Sequence, residues 1–166
     1  MHRGGQGRRS ALTVLSTGGA PPALFHHHMI VFAYGTLTVD IVRDRVLGHP
    51  VDTRDAVLRG YSKVCGWDYL TLVPSDSSVR GVVFEADADD VARMDVWEDV
   101  PVYSLVPVTV ETDDGPAEAH TYIMGTPPEH YETVDDSCVA AIPVLEIMAD
   151  LDRMLGRRRR GLRSRF

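Results

Sequence analysis

The sequence predicts an α+β domain built around a small mixed or antiparallel β-barrel with flanking helices. Three observations carry that expectation. Five or six segments of the 166-residue chain read as strands, with two or three helical segments among them. Asp113-Asp114-Gly115 separates two Val- and Thr-bearing runs and is a hairpin signal, so consecutive strands pair antiparallel. The apolar run Met29-Ile30-Val31-Phe32-Ala33 breaks off one residue before Gly35, as a buried strand does where it enters a turn.

Taken in order, residues 29–33 form the first strand. Gly35 is expected to take backbone angles closed to other residues and to let a ligand approach the main chain. The N–H groups that follow, with the Thr36 hydroxyl, suit a concave anion site; an ordinary strand-to-loop turn is the alternative. A helix is expected over residues 39–47, with Asp40 near its start. Residues 56–64 are strand-like, with Gly60 inside as a bulge or a point of close approach. Residues 67–73 are a mixed aromatic segment, closed by the turn signal Pro74-Ser75-Asp76-Ser77-Ser78.

Residues 79–86 alternate as a strand, residues 90–98 make a short helix, and residues 103–111 make another strand. The Asp113-Asp114-Gly115 turn then joins 106–112 to 117–124. From 135 to 155 the spacing of Val139, Ile142, Leu145, Ile147, Met148, Leu151, Met154 and Leu155 fits a helix packed on the barrel. Pro143 is expected in its first turn.

The natural division is an extension over 1–28, one domain over 29–155 and an Arg-rich tail over 156–166. The extension carries no steady apolar period, and its Ala11–Leu15 stretch is too short for a signal-peptide core. It reads as an expression remnant or an upstream extension, with Met29 as the effective start. Adjacent His26, His27 and His28 would point to opposite sides of an extended chain, which suits no shared metal. The block Arg157–Arg160 with Arg163 and Arg165 is expected to be disordered. It lacks the interleaved aromatics of a nucleic-acid surface, and could equally lie against the acidic domain.

At 44% hydrophobic residues the chain can bury one substantial core, and no run reaches the ~20 apolar residues of a membrane span. Two cysteines, Cys65 and Cys138, are too few for a disulfide framework and fit a reduced cytoplasm. The net charge of −7 conceals an asymmetry. All 24 acidic residues lie between Asp40 and Asp152, against seven basic ones in that span, which leaves it at −17. Lys63 is the only lysine. Such a surface stays hydrated when salt screens its self-repulsion, as in a high-salt organism. An acidic enzyme encoded by GC-rich DNA reads the same way.

Four motifs in order carry a resemblance. Tyr34-Gly35-Thr36-Leu37 opens it, Gly60-Tyr61 and Gly81 follow, then Met94-Asp95-Val96-Trp97-Glu98, and Ala119-His120-Thr121-Tyr122 closes it. Over residues 29–125 the chain resembles the gamma-glutamylcyclotransferase-like (AIG2-like) family. The resemblance implies a compact barrel with a pocket at one mouth. It also implies a cofactor-free cyclisation of a small gamma-glutamyl compound to 5-oxoproline, with release of an amine or amino acid.

By the same resemblance, Glu98 is the proton shuttle, since it stands three residues after Asp95 and five before Tyr103. Its neighbours Trp97, Val100, Pro101 and Val102 form an apolar setting that can raise a carboxyl pKa. A surface carboxylate ending an acidic helix is the bland alternative. Tyr34, Gly35, Thr36 and Leu37 would supply the substrate loop, and Tyr103 and Tyr122 substrate contacts, or core tyrosines with satisfied hydroxyls. Two positions depart from the family: Thr38 stands where many relatives carry Arg, and Asp99 where they often carry Gly. No metal site is expected, because His49, His120 and His130 share no ligand spacing. A non-catalytic small-molecule or partner-binding domain of the same fold is the second reading, as monomer or homodimer in either case.

Overall fold

The computed structural model describes residues 28–66, 69–135 and 143–163, with side chains through Met154. Expectations for residues 1–27, Trp67, Cys138, Val139 and Ile142 fall outside the described residues. The described elements are strand β1 (Met29–Ala33), a 3-10 turn (Thr36–Thr38), helix α1 (Asp40–Leu47) and strands β2 (Arg54–Gly66) and β3 (Tyr69–Ala86). Helix α2 (Ala88–Trp97), strands β4 (Tyr103–Thr112), β5 (Gly115–Met124) and β6 (Glu132–Thr133), and helix α3 (Val144–Arg163) complete the order.

One sheet holds all six strands in the order β3-β1-β5-β4-β2-β6, and a further pairing of β3 with β2 closes the first five into a ring. Five strands therefore close on themselves, and β6 extends the β2 edge at Val64 and Cys65. The barrel is mixed. Pairs β1–β3, β2–β3, β2–β4 and β4–β5 are antiparallel, whereas β1 meets β5 in parallel at Val31 and His120.

Alternation along β1 divides the core in two, because successive side chains point to opposite sheet faces. Phe32 and, just past the end of β1, Tyr34 join the strand residues Leu58, Leu72, Val83 and Val110 in a cluster without helical members, which is the barrel interior. Val31 and Ala33 face outward to Val42, Leu47, Met94, Ile147 and Leu151, where the three helices cover the barrel. A strand buried on both faces needs apolar residues at every position, which accounts for the unbroken Met-Ile-Val-Phe-Ala run.

The expected turn at Pro74–Ser78 is corrected. β3 runs through it without reversing. Arg59 pairs with Ser78 and Tyr61 with Pro74, so Ser75, Asp76 and Ser77 bulge opposite the single residue Gly60. Gly60 has φ +80°, which an L side chain resists, and the bulge puts Pro74 where a missing N–H is tolerated. Ser75 Oγ accepts from the Ser77 N–H at 3.1 Å and bonds Ser62 Oγ at 2.7 Å, replacing ladder bonds that the bulge removes. Turn-rich composition therefore marks a bend within one strand here. Gly81 is needed for a different reason: a Cβ there would lie 2.1 Å from the Ala33 carbonyl oxygen, where β1 crosses.

Strands β1, β4 and β5 and helices α1 and α2 hold to within two residues of the sequence expectation, whereas the helix expected over 135–155 is observed over Val144–Arg163 and β6 was not expected. The hairpin between β4 and β5 closes with Thr112 paired to Gly115. Helix α3 begins just after Pro143, whose carbonyl accepts from Glu146 and Ile147, so the proline precedes the first turn instead of sitting in it. Its backbone continues to Arg163, past the Leu155 end that the apolar spacing suggests and into the Arg-rich segment. Arg45 on α1 bonds Asp152 on α3 at 2.8 Å, across the exposed edge of the helical cover.

Candidate active site

The end of β1, the start of β3, the end of α2, the start of β4 and the end of β5 converge on one barrel mouth. There they enclose a cavity of about 240 Å3. All seven site residues expected from the sequence line it: Tyr34, Gly35, Thr36, Leu37, Glu98, Tyr103 and Tyr122. Sequence reasoning gave no site role to Tyr69, Leu70 or Thr121, nor to Trp97 and Asp99 as lining groups. Tyr69 belongs to the aromatic segment after β2, and Thr121 to the motif that contains Tyr122. Those were the available signals.

The substrate loop turns at once into the 3-10 segment. The Thr38 N–H donates to the Gly35 carbonyl at 3.0 Å, the Val39 N–H to Thr36 at 3.1 Å, and the Thr38 hydroxyl to Gly35 at 2.7 Å. Gly35 has φ −114° and ψ −139°, outside the left-handed region and outside the regular helical and extended ranges. What glycine leaves here is room, since its missing Cβ would meet Leu70 Cδ2 at 3.4 Å. Thr38 supplies no cation, but Arg43 of α1 backs the same loop. Its guanidinium is buried, donates to the Leu37 carbonyl at 3.2 Å, pairs with Asp40 at 2.6 Å and lies over the Phe84 ring.

Glu98 is carried by the C-terminus of α2. The helix is fixed at its start by a capping box: Asp87 Oδ1 accepts from the N–H groups of Asp89 and Asp90, and Asp90 Oδ2 accepts from the Asp87 N–H. At its end the Glu98 N–H donates to Met94 at 2.8 Å and the Val100 N–H to Asp95 at 3.0 Å. Asp99, between them, has φ +55°. This left-handed position following a helix is where glycine costs nothing and Asp is among the better tolerated substitutes. The Gly that the family resemblance implies at this position and the Asp found here therefore answer the same backbone demand.

Burial pushes the Glu98 carboxyl from 4.5 up to about 7. Three phenols surround the same space, and each is committed. Tyr34 donates to the Tyr122 carbonyl, Tyr103 to the Leu70 carbonyl and Tyr122 to Asp95 Oδ1, all at 2.7 Å. Burial first, then the Glu98 charge for Tyr34 and Tyr103 and the hydrogen bond and charge of Asp95 for Tyr122, hold all three well above the usual tyrosine range, so they stay protonated. Their protons point at protein acceptors, and toward a ligand they present walls and lone pairs. Trp97 Nε1 donates to Thr36 Oγ1 at 3.2 Å, tying the helix end that bears Glu98 to the substrate loop. The arrangement offers one carboxyl able to accept and return a proton near neutrality, beside a strand-end loop.

Among the described residues no group of three or more His, Cys, Asp or Glu side chains is placed to hold a metal, and no helix is long and apolar enough to cross a membrane.

Comparison with known proteins places these features in a family. The model of the family described as gamma-glutamyl cyclotransferase, AIG2-like matches residues 31–138. A solution structure of an Arabidopsis thaliana protein is 24% identical, covers 87% of this chain and 88% of its own, and superposes with TM-score 0.59. A crystal structure of an AIG2-like protein from Mus musculus is 21% identical over 66% of this chain and 90% of its own, with TM-score 0.55. A gamma-glutamyl cyclotransferase is 19% identical over 64% of this chain and 69% of its own, with TM-score 0.51. At these identities the three share the fold. No curated protein matches the chain.

Proposed function

The chain belongs to the gamma-glutamyl cyclotransferase, AIG2-like family, and from that premise we propose that it cyclises a gamma-glutamyl amino acid or amine to 5-oxoproline. The glutamyl α-amine attacks the side-chain amide carbonyl carbon. A C–N bond forms within the ring, the C–N bond to the leaving amine breaks, and the two protons that the α-ammonium nitrogen gives up on becoming the lactam N–H go to the leaving nitrogen, which departs as an ammonium. The substrate carries its own nucleophile, so the protein's tasks are orientation, oxyanion stabilisation and proton transfer.

Glu98 carries the reading. A carboxyl held at about 7 divides its population between the two protonation states near neutrality. As carboxylate it takes a proton from the α-ammonium; as acid it delivers that proton to the departing amine. A pure binding domain gains nothing from this tuning. Backbone N–H groups of the Gly35–Leu37 loop hold the glutamyl carboxylate or the oxyanion, and Arg43 positions that loop through the Leu37 carbonyl. Tyr34, Tyr103 and Tyr122, each fixed by its own hydrogen bond, shape the walls.

The test is 5-oxoproline formation from a panel of gamma-glutamyl amino acids and amines by wild type and Glu98→Gln. Gln keeps the shape of the side chain and cannot shuttle a proton, so turnover should fall by about 10²–10⁴. Binding measured by calorimetry should stay within about tenfold. Near wild-type product formation by the variant would remove Glu98 from the mechanism.

A further inference from the structure

The cavity's outer end carries a charge pattern that ring closure does not use. Among its described lining residues none is Lys, Arg or His; the charged ones are Glu98 and Asp99. Most of the described lining is buried or half-buried; among the described lining residues Tyr69 and Asp99 are the exposed ones, and they lie at the rim. Asp99 is exposed, but its place on the rim is set by the backbone. Its backbone is held at φ +55° by the helix-ending bond from the Val100 N–H to Asp95, and the chain enters it directly from Glu98.

The reacting carbonyl must sit beside Glu98, because that group exchanges the proton. The leaving amine is the part of the substrate that points from there to solvent. Its route runs past the residue joined to Glu98, about 3.8 Å further along the chain. An exposed carboxylate and an exposed tyrosine, both lining the outer end of the cavity, make surroundings that attract an ammonium group, by Coulomb attraction and by the ring's negative face. The same rim repels a carboxylate. The −17 span around it adds field of the same sign.

Resting on the cyclotransferase reading, we propose that Asp99 is a specificity-determining residue. It selects gamma-glutamyl amides whose leaving amine ends in a second, positively charged group and rejects those ending in a carboxylate. The distal ammonium meets the Asp99 carboxylate and the Tyr69 ring while the amide carbonyl faces Glu98.

Three synthetic substrates of equal chain length separate charge from shape: gamma-glutamyl amides of 1,4-diaminobutane, butylamine and 4-aminobutyrate, with cationic, neutral and anionic ends. An exposed ion pair is worth up to about fivefold and a like-charge contact costs about the same, so the two ends should differ by about 25-fold in kcat/KM at low salt. In 1 M KCl the series should compress. In Asp99→Gly and Asp99→Asn the ratio between the ends should fall to about threefold, each ratio being taken within one protein so that any change at Glu98 cancels. Dissociation constants of the same three compounds for Glu98→Gln protein should follow the same order. A flat series in wild type, or a series that Asp99→Gly leaves intact, would overturn the assignment. Absence of 5-oxoproline from all three would instead overturn the cyclotransferase reading, and the order of dissociation constants then decides charge selection by itself.

Discussion

Replacing Glu98 by Gln should stabilise the fold, and increasingly so as pH rises. In the folded chain Glu98 keeps its proton up to about 7, against 4.5 for an unperturbed glutamate. Between those values the native state binds more protons than the unfolded state, so wild-type stability falls as pH rises. The penalty is absent below about 4.5 and fully in place above about 7. At about 1.36 kcal/mol per tenfold change in proton affinity, its ceiling is about 3 kcal/mol. Gln does not titrate and escapes the penalty. The stability difference between variant and wild type should therefore widen by about 2 kcal/mol between pH 5 and pH 8, allowing for partial exposure of the residue. At roughly 2–4 °C per kcal/mol, the melting-temperature gap should grow by about 4–8 °C. Parallel urea titrations across that pH range give the free energies and thermal melts give the temperatures. A gap that is constant with pH, or that narrows, would mean that Glu98 is ionised and paired in the fold, and the case for a base tuned to neutrality would fail with it.

Three other expectations follow from particular contacts. Gly81→Ala should cost about 1–3 kcal/mol or more, read as a lower urea midpoint, because its Cβ has no space beside the Ala33 carbonyl oxygen; wild-type stability would show that β1 and β3 can part there. Trp97→Phe and Thr36→Val should each lower kcat/KM by about fivefold, the worth of one hydrogen bond, and the double variant should be no worse than the poorer single. The donor-only indole leaves the Thr36 proton for the ligand, and simple additivity of the two losses would contradict that coupling. Melting temperature should rise between 0.01 M and 1 M KCl as the Debye length shrinks from ~30 Å to ~3 Å around a span of net charge −17; a flat or falling response would count against self-repulsion.

Most of the architecture was legible because short-range rules dominate it. Met29–Ala33, the Asp113-Asp114-Gly115 hairpin and the α2 segment announce themselves by apolar pattern, turn chemistry and length, and nothing in the fold overrides them. The Pro74–Ser78 segment was misleading because turn residues also suit a bulge. Only the partner strand, with Gly60 opposite Ser75–Ser77, decides between a reversal and a bend. The lining of the candidate site was legible through its ordered motifs, which singled out Glu98 and three tyrosines before any geometry. Arg43 was not, since a buried guanidinium on α1 looks in sequence like any surface arginine of a helix. The Tyr122–Asp95 and Trp97–Thr36 bonds likewise join positions far apart in the chain, which no local pattern encodes.

The parallel contact of β1 with β5 has a consequence for synthesis of the chain. β1 emerges early, yet its β5 neighbour is made much later; the Thr121 hydroxyl that bonds the Phe32 carbonyl comes 89 residues after its partner. Until β5 leaves the ribosome, β1 can pair with β3 but keeps one unpaired edge of five apolar residues. The barrel cannot close piecemeal as a growing meander would, so folding is deferred until about the whole sheet has been translated. A nascent chain stopped after β4 holds an open, sticky sheet, and holdase chaperones should occupy it at that length and release it once Met124 is exposed.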